Sequence, residues 1–246
     1  MSRNKTIDAR GVYYKQLNET IHAAVAEGYH HLVLQGALGQ RYIGVGLGPE
    51  VRITINGVPG NDLAAFMDGA TIIVNDNVQD GICNTMNRGK VVVRGDAGDI
   101  ISYGMRGGRL YIAGDVGYRT GIHMKSFRDQ KPVVVIGGTA QDYLGEYMAG
   151  GMLVVLNLQD SPRPAGDFLG TGMHGGKIYL RGRVPPHQLG REVGTAELGD
   201  QDWEELRAVL DDFFAETRLE DPGLARDQFT LLYPKSLRPY GNLYAY

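Results

Sequence analysis

Two columns of branched aliphatic residues recur along the chain at intervals of 19 to 25 residues. The first column consists of Leu32, Ile53, Ile72, Val91, Leu110, Val134, Leu153 and Ile178. The second, two residues later, consists of Leu34, Ile55, Val74, Val93, Ile112, Ile136, Val155 and Leu180. The residues between the two columns, such as Thr54 and Tyr111, vary freely. Fixed apolar positions that alternate with variable ones predict a series of strands, each with one buried face.

The methionines follow the same repeat, since Met67, Met86 and Met105 are 19 residues apart. Insertions around residues 127–132 and 160–164 account for the two longer intervals. A crossover helix needs about a dozen residues, so this spacing excludes βαβ units. It fits the coils of a parallel β-helix, in which each strand stacks about 4.8 Å above the preceding one. We therefore predict an all-β core built as a right-handed, single-stranded parallel β-helix of about eight coils.

Both ends carry helical patterns. Apolar residues recur every four positions from Tyr13 to Val25, before Gly28, which predicts an amphipathic helix that caps the first coil. Asp202 and Glu205 resemble a capping box at the start of a second helix, which should close or flank the other end. Its predicted apolar face consists of Trp203, Leu206, Val209, Leu210, Phe213 and Phe214.

We divide the chain into an N-terminal cap (1–29), the β-helix (30–184) and a C-terminal helix with an aromatic tail (185–246), all within one structural unit. The tail, FTLLYPKSLRPYGNLYAY, has no helical period. It is either a strap over its own solenoid or an arm that docks on a partner, and the sequence does not choose between these.

Glycine is abundant, with 36 residues among 246. Two residues after the second aliphatic column lies a column of residues that tolerate positive φ, as a sharp corner would require: Gly36, Gly57, Asp76, Gly95, Gly114, Gly138, Asn157 and Gly182. A further column is small throughout, which predicts a structural role for its cysteine: Ala64, Cys83, Ser102, Gly121, Gly145 and Gly170. A third column should accept hydrogen bonds from corner amides: Asn61, Asp80, Asp99, Asp142 and Asp167.

The stretch GDVGYRTGIHMKS carries both glycines and basic residues. The column register assigns Gly114, Gly117 and Gly121 to the scaffold as a structural glycine motif. It does not explain the polar side chains that gather before and after the methionines. We take these as a candidate interface or ligand edge: Arg41, Arg119, His123, Lys125, Glu146 and His174.

Charge and composition exclude several classes of protein. Lys plus Arg (25) and Asp plus Glu (28) give a formal net charge of −3, so we expect neither nucleic acid nor a membrane as a partner. One cysteine cannot form an internal disulfide or hold an iron–sulfur cluster by itself. No histidine pair has zinc-ligand spacing on a helix, and we expect no metal site. A polar N-terminus and short apolar runs favour a cytoplasmic protein.

One stretch resembles a nucleotide-binding motif but lacks the secondary structure that the motif requires. GTGMHG, residues 170–175, matches the dinucleotide fingerprint, but a predicted strand follows it where the fingerprint needs a helix. We find no Walker motif and no serine in a G-x-S-x-G setting, and we name no catalytic residue.

The glycine pattern, together with GQRYIGVGL, GYRTGIHMKS, GEYMAGG and GTGMHGGKIYLRG, resembles the GXGXG β-helix domain of the glutamate synthase large subunit. It resembles most the free-standing form of that domain, a subunit of archaeal-type glutamate synthases and N-methylglutamate synthases. The resemblance implies a non-catalytic subunit. It also implies a glutaminase-type amidotransferase subunit and an FMN-binding synthase subunit as partners, with FMN and an iron–sulfur cluster on those partners and no cofactor on this chain.

Three hypotheses follow. The first is a structural subunit of such a complex, which could also form a homo-oligomer. The second, within the same class, is the β-helix subunit of a formylmethanofuran dehydrogenase-like enzyme, whose repeat is a more distant likeness. The third is an independent enzyme that uses Arg119, His123, Glu146 and His174. The amine substrate, the electron donor, the stoichiometry and an ammonia path stay open.

Overall fold

The computed structural model describes residues 3–237. Eleven strands in this range join one sheet, in the order β1 to β9, then β11, then β10. The first nine strands are β1 (Arg3–Asp8), β2 (Tyr29–Leu38), β3 (Arg52–Val58), β4 (Asp68–Val74), β5 (Arg88–Val93), β6 (Arg109–Ile112), β7 (Val133–Ile136), β8 (Ala149–Val155) and β9 (Gly175–Arg181). The remaining elements are α1 (Tyr14–Ala26), β10 (Val193–Ala196), α2 (Asp200–Thr217), β11 (Phe229–Pro234) and 3₁₀ helices at Pro186–Gln188 and Arg226–Gln228.

Strands β2 to β9 stack in parallel in the register that the aliphatic columns predict. Leu32 lies opposite Ile53, Ile53 lies opposite Ile72, and the pairing continues to Leu153 and Ile178. Every residue of both columns is buried in one continuous core. The predicted parallel β-helix is confirmed, with seven turns between its eight strands. We number coils one to seven by the strands β2 to β8 that begin them.

The N-terminal end differs from the expected cap. Helix α1 packs Leu17, Ile21 and Ala24 against the first coil, whereas Tyr13 precedes the helix and is exposed. The backbone edge of β2 is covered by β1, which pairs with it in parallel, and not by the helix. Strand β1 escapes prediction because it forms the edge of the sheet, where Ile7 is its only buried residue.

Helix α2 packs along the flank of the solenoid, where its contacts include β5 and β6, and does not close its end. The end is instead continued by β11, antiparallel to β9, and by β10, antiparallel to β11. The suggested capping box is also wrong. The N-cap of α2 is Gly199, and Asp202 lies inside the first turn, where it accepts hydrogen bonds from Lys177 and Tyr179.

The docked helix corrects the prediction that each strand buries one face. The predicted apolar face of α2 is confirmed, with Phe213 fully buried and Trp203 half-buried. It covers the outward side chains of the central strands, including Val92, Tyr111 and Val135. Tyr111 donates a hydrogen bond to Asp212 (2.7 Å) and packs edge-on against the Phe213 ring. The central strands therefore have an apolar layer on each side.

Candidate functional site

Each of the seven coils contains a five-residue segment whose first, third and fifth residues have a left-handed backbone, with φ between 50° and 79°. We call these the left-handed segments: 42–46, 62–66, 81–85, 100–104, 119–123, 143–147 and 168–172. A left-handed conformation costs about 1–2 kcal/mol for a residue other than glycine. Hydrogen bonds between coils oppose this cost. In coil five, Arg119 and His123 donate to the next coil, and Gly121 donates to the preceding one.

The third residue of every left-handed segment points into the core, which explains the column of small residues. These inward positions are Gly44, Ala64, Cys83, Ser102, Gly121, Gly145 and Gly170, and all are buried. A Cβ atom on Gly121 would lie 2.9 Å from Leu153 Cδ2. Burial raises the pKa of the Cys83 thiol, which disfavours the reactive thiolate.

The predicted positive φ is wrong for Gly114, and Gly117 is not left-handed either, so these two glycines serve another purpose. A Cβ atom on Gly114 would lie 2.0 Å from Asp96 Oδ1, and one on Gly117 would lie 2.0 Å from Asp99 Oδ1. Each carboxylate accepts a hydrogen bond of 2.8 Å from the amide that follows the glycine, at Asp115 and Tyr118. The glycines therefore admit carboxylates from the coil below.

The predicted carboxylate column is confirmed at Asp80, Asp99 and Asp142, which accept amide hydrogen bonds of 2.8–2.9 Å from the next coil. A second ladder of this kind escaped the sequence analysis. It runs through Asn77, Asp96 and Asp115, whose Oδ1 atoms accept bonds of 2.6–2.8 Å. The available signal was the Asx residue that directly follows the corner column in these coils, after Asp76, Gly95 and Gly114.

The other left-handed residues point outward and carry much of the exposed aromatic area. We call the surface formed by the seven segments the turn face. Its exposed large apolar residues within the segments are Tyr42, Phe66, Ile100, Tyr103 and Phe168. Tyr118, also exposed, lies directly before the fifth segment. Tyr143 stacks on Phe168 with ring centroids 4.9 Å apart. Exposed aromatic residues of this kind are enriched at protein interfaces.

Arg119 and Glu146, two of the candidate edge residues, form an ion pair between coils five and six. Glu146 is only 7% exposed, and the Arg119 guanidinium also lies 4.4 Å from the centroid of the Tyr143 ring. Removing the arginine would leave a buried carboxylate without its cation, which is strongly destabilising. Charge reversal at Arg119 would therefore lower the stability of the fold as well as alter any partner contact, and the two effects could not be separated.

His123 lies between two aromatic rings of neighbouring coils. Its imidazole stacks on Tyr147 at a centroid distance of 5.2 Å and meets the edge of Tyr103 at 5.8 Å. Lys125, two residues later, is exposed and has no hydrogen-bond or ion-pair partner for its ammonium group among residues 3–237. Both side chains line a cleft of about 310 Å³ together with Arg106, which the sequence analysis did not single out.

The two remaining candidates do not join this group. Arg41 lies in coil one, four coils from Arg119, or about 19 Å at the usual strand spacing. Its carbonyl accepts a hydrogen bond from Asn18 of α1. His174 lies just after the seventh segment, where its Nδ1 is 3.1 Å from the carbonyl oxygen of Gly172. Of the six predicted edge residues, Arg119 and Glu146 form an ion pair, and His123 and Lys125 line the same cleft. Arg41 and His174 lie apart from both.

The described residues do not fit a metal or nucleotide site. Residues 3–237 contain no group of three or more His, Cys, Asp or Glu side chains that could hold a metal ion. The GTGMHG stretch forms part of the seventh left-handed segment and runs directly into β9. Over the same part of the chain, no helix is long and apolar enough to cross a membrane.

The stacked strands and their repeated left-handed segments define a parallel β-solenoid. The sequence matches the GXGXG motif family over residues 29–234, and the chain belongs to that family. It is also 47% identical over 248 residues to a protein of Methanocaldococcus jannaschii named uncharacterized protein MJ1350, across 97% of this chain and 95% of that relative. In coil one, Gly44 and Gly46 occupy two of the left-handed positions.

Proposed function

We propose that this protein is a non-catalytic structural subunit of a glutamate synthase-like complex in amino-acid nitrogen metabolism. Its partners in this proposal are a glutaminase-type amidotransferase subunit and an FMN-binding synthase subunit. The flavin and an iron–sulfur cluster belong to those partners, and the complex is cytoplasmic.

The observation that carries the proposal is the turn face. Four of its rings, Tyr42, Phe66, Tyr103 and Phe168, are between 40% and 55% exposed. Aromatic residues supply large contact areas at protein interfaces and are enriched there. Their backbone positions are fixed by hydrogen bonds between coils, so a partner would meet a preorganised surface. Membership of the GXGXG motif family supports the glutamate synthase context.

A rigid solenoid suits this role physically. Each coil rests on its neighbours through parallel pairing, the aliphatic core and two ladders of Asx side chains. Such a body can hold two catalytic subunits at a fixed separation, which favours transfer of a reactive intermediate between their active sites. The chain contributes alignment in this proposal, and the chemistry belongs to the partners.

Reconstitution of the complex with and without this chain tests the proposal. We expect omission of the chain to reduce glutamine-dependent synthesis while glutaminase activity and ammonia-dependent synthesis are retained. Loss of either separate activity would contradict a purely structural role. Turnover of a substrate by the isolated chain would favour the independent-enzyme hypothesis instead.

A further inference from the structure

The cleft beside His123 brings basic side chains together on the turn face. Its lining consists of Thr85, Tyr103, Gly104, Arg106, His123 and Lys125, and we call it the basic cleft. The cleft contains no carboxylate. Within residues 3–237, neither Arg106 nor Lys125 has an ion-pair partner, and the imidazole of His123 has ring contacts only.

Several other basic side chains of the molecule are matched with acids. Lys90 contacts Asp212 and Glu216, and Arg88 pairs with Asp68. The whole chain has a formal charge of −3, whereas the basic cleft brings Arg106 and Lys125 together without a carboxylate in its lining. A concentration of positive charge in a concave site attracts anions and strengthens their binding.

Three coils build the cleft, which fixes the relative positions of its donors. Thr85 comes from the third left-handed segment, Tyr103 from the fourth and His123 from the fifth. Arg106 and Lys125 each follow a segment by two residues. Their backbone amides donate hydrogen bonds to the carbonyl oxygens of Met86 and Met105 in the preceding coils. The backbone from which each side chain projects is therefore held in place.

Apolar surface adjoins the basic cleft and indicates the kind of anion it fits. Tyr103 belongs to both the cleft and the exposed aromatic surface, and Ile100, 42% exposed, lies in the same segment. An inorganic anion in the cleft would leave this apolar surface in water. A polypeptide can cover it while carboxylate side chains reach the basic groups, and such charge complementarity orients partners at interfaces.

We propose that the basic cleft docks an acidic segment of a partner protein, with carboxylates paired to Arg106, Lys125 and His123 and apolar side chains packed on Tyr103 and Ile100. This inference rests on the proposed function, because it names the chemistry of the partner that the turn face receives.

Binding of short peptides to the isolated full chain tests the cleft without its partners. The probes are hexaglutamate, hexaglutamine, inorganic phosphate and a ten-nucleotide oligothymidylate, measured by calorimetry at low salt. We expect hexaglutamate to bind and hexaglutamine not to bind. Stronger binding of phosphate or of the oligonucleotide than of hexaglutamate would overturn the proposal, as would no hexaglutamate binding at all.

Double substitutions test whether hexaglutamate binds at the basic cleft. Arg106→Glu with Lys125→Glu should weaken hexaglutamate binding at least about tenfold, since two attractions become repulsions. The neutral pair Arg106→Gln with Lys125→Gln provides the same test if the first variant folds poorly. The matched control is Arg52→Glu with Arg191→Glu, which changes the net charge equally at two exposed residues. An equal loss in this control would show non-specific attraction and refute the assignment.

The assembled complex provides the second test. A carbodiimide joins a carboxylate to an amine at contact distance, so Lys125 should become linked to an Asp or Glu of a partner. A complex that assembles normally in the cleft variants, without that cross-link, refutes the cleft and leaves the proposed function standing. Failure to find any partner refutes the proposed function, and the peptide measurements still decide whether the cleft recognises carboxylates.

Discussion

The core of coil five contains a polar group that the fold does not satisfy. Thr120 is fully buried, and no described residue forms a hydrogen bond with its Oγ1 atom. The equivalent residues in other coils are all aliphatic and fully buried: Ile43, Leu63, Ile82, Ile101, Leu144 and Leu169. Nothing in the structure explains a hydroxyl at this position.

Thr120→Val should therefore stabilise the protein. Valine has a similar shape, and the change removes an unsatisfied hydroxyl whose burial costs about 1–3 kcal/mol. For a chain of this length, each kcal/mol corresponds to about 2–4 °C in the melting temperature. We expect the midpoint of thermal unfolding to rise by about 2–12 °C, and the urea midpoint to rise with it.

The matched control is Thr217→Val in α2. Thr217 is also buried, but its hydroxyl donates a hydrogen bond of 2.7 Å to the Phe213 carbonyl. This variant should lose about 0.5–1.5 kcal/mol. Far-ultraviolet circular dichroism and tyrosine fluorescence should report the same transition, because solenoids can unfold in parts. A lower midpoint for Thr120→Val would show that the Thr120 hydroxyl is bonded in solution and would refute the reasoning.

Three further predictions concern the ladders and the docked helix. Gly114→Ala should cost about 2–4 kcal/mol in urea unfolding, because its Cβ would displace the Asp96 carboxylate; an unchanged midpoint would contradict the close approach. Phe213→Ala should cost about 3–5 kcal/mol and make α2 sensitive to limited proteolysis, since the ring is fully buried; resistance equal to wild type would contradict the docking. A hydrogen bond from Lys177 holds the pKa of Asp202 below its ordinary value of 3.8. The stability from this pair should be present above pH 3.8 and lost as the pH falls through the lowered pKa. Asp202→Asn should thus be less stable than wild type at pH 7, with the difference closing in acid; a pH-independent difference would contradict the ionic contribution.

The strand columns could be predicted because each coil repeats the same inward aliphatic positions, from Leu32 to Ile178. The position of α2 could not, because the outward residues it covers, such as Val92 and Tyr111, vary as exposed residues do. Strand β1 is likewise too polar to predict, since one face and one edge of it meet water.

The candidate site was predictable only in part. The register placed His123 and Glu146 close to one edge, and the structure agrees, since the His123 amide donates a hydrogen bond to the Glu146 carbonyl oxygen of the next coil. It missed the left-handed positions, where Arg119 and His123 stand at sites that glycine occupies in other coils. Arg106 was missed because a repeat alignment shows which residues stack, but not which charged side chains lack a partner.

The most direct test of the central claim is native mass spectrometry of the tagged protein, purified from its own cell at low salt, with a visible spectrum of the same sample. The account predicts a complex of fixed stoichiometry that contains a glutaminase-type subunit and an FMN-binding subunit, with a flavin spectrum. A colourless protein recovered alone, or as a homo-oligomer only, would contradict it.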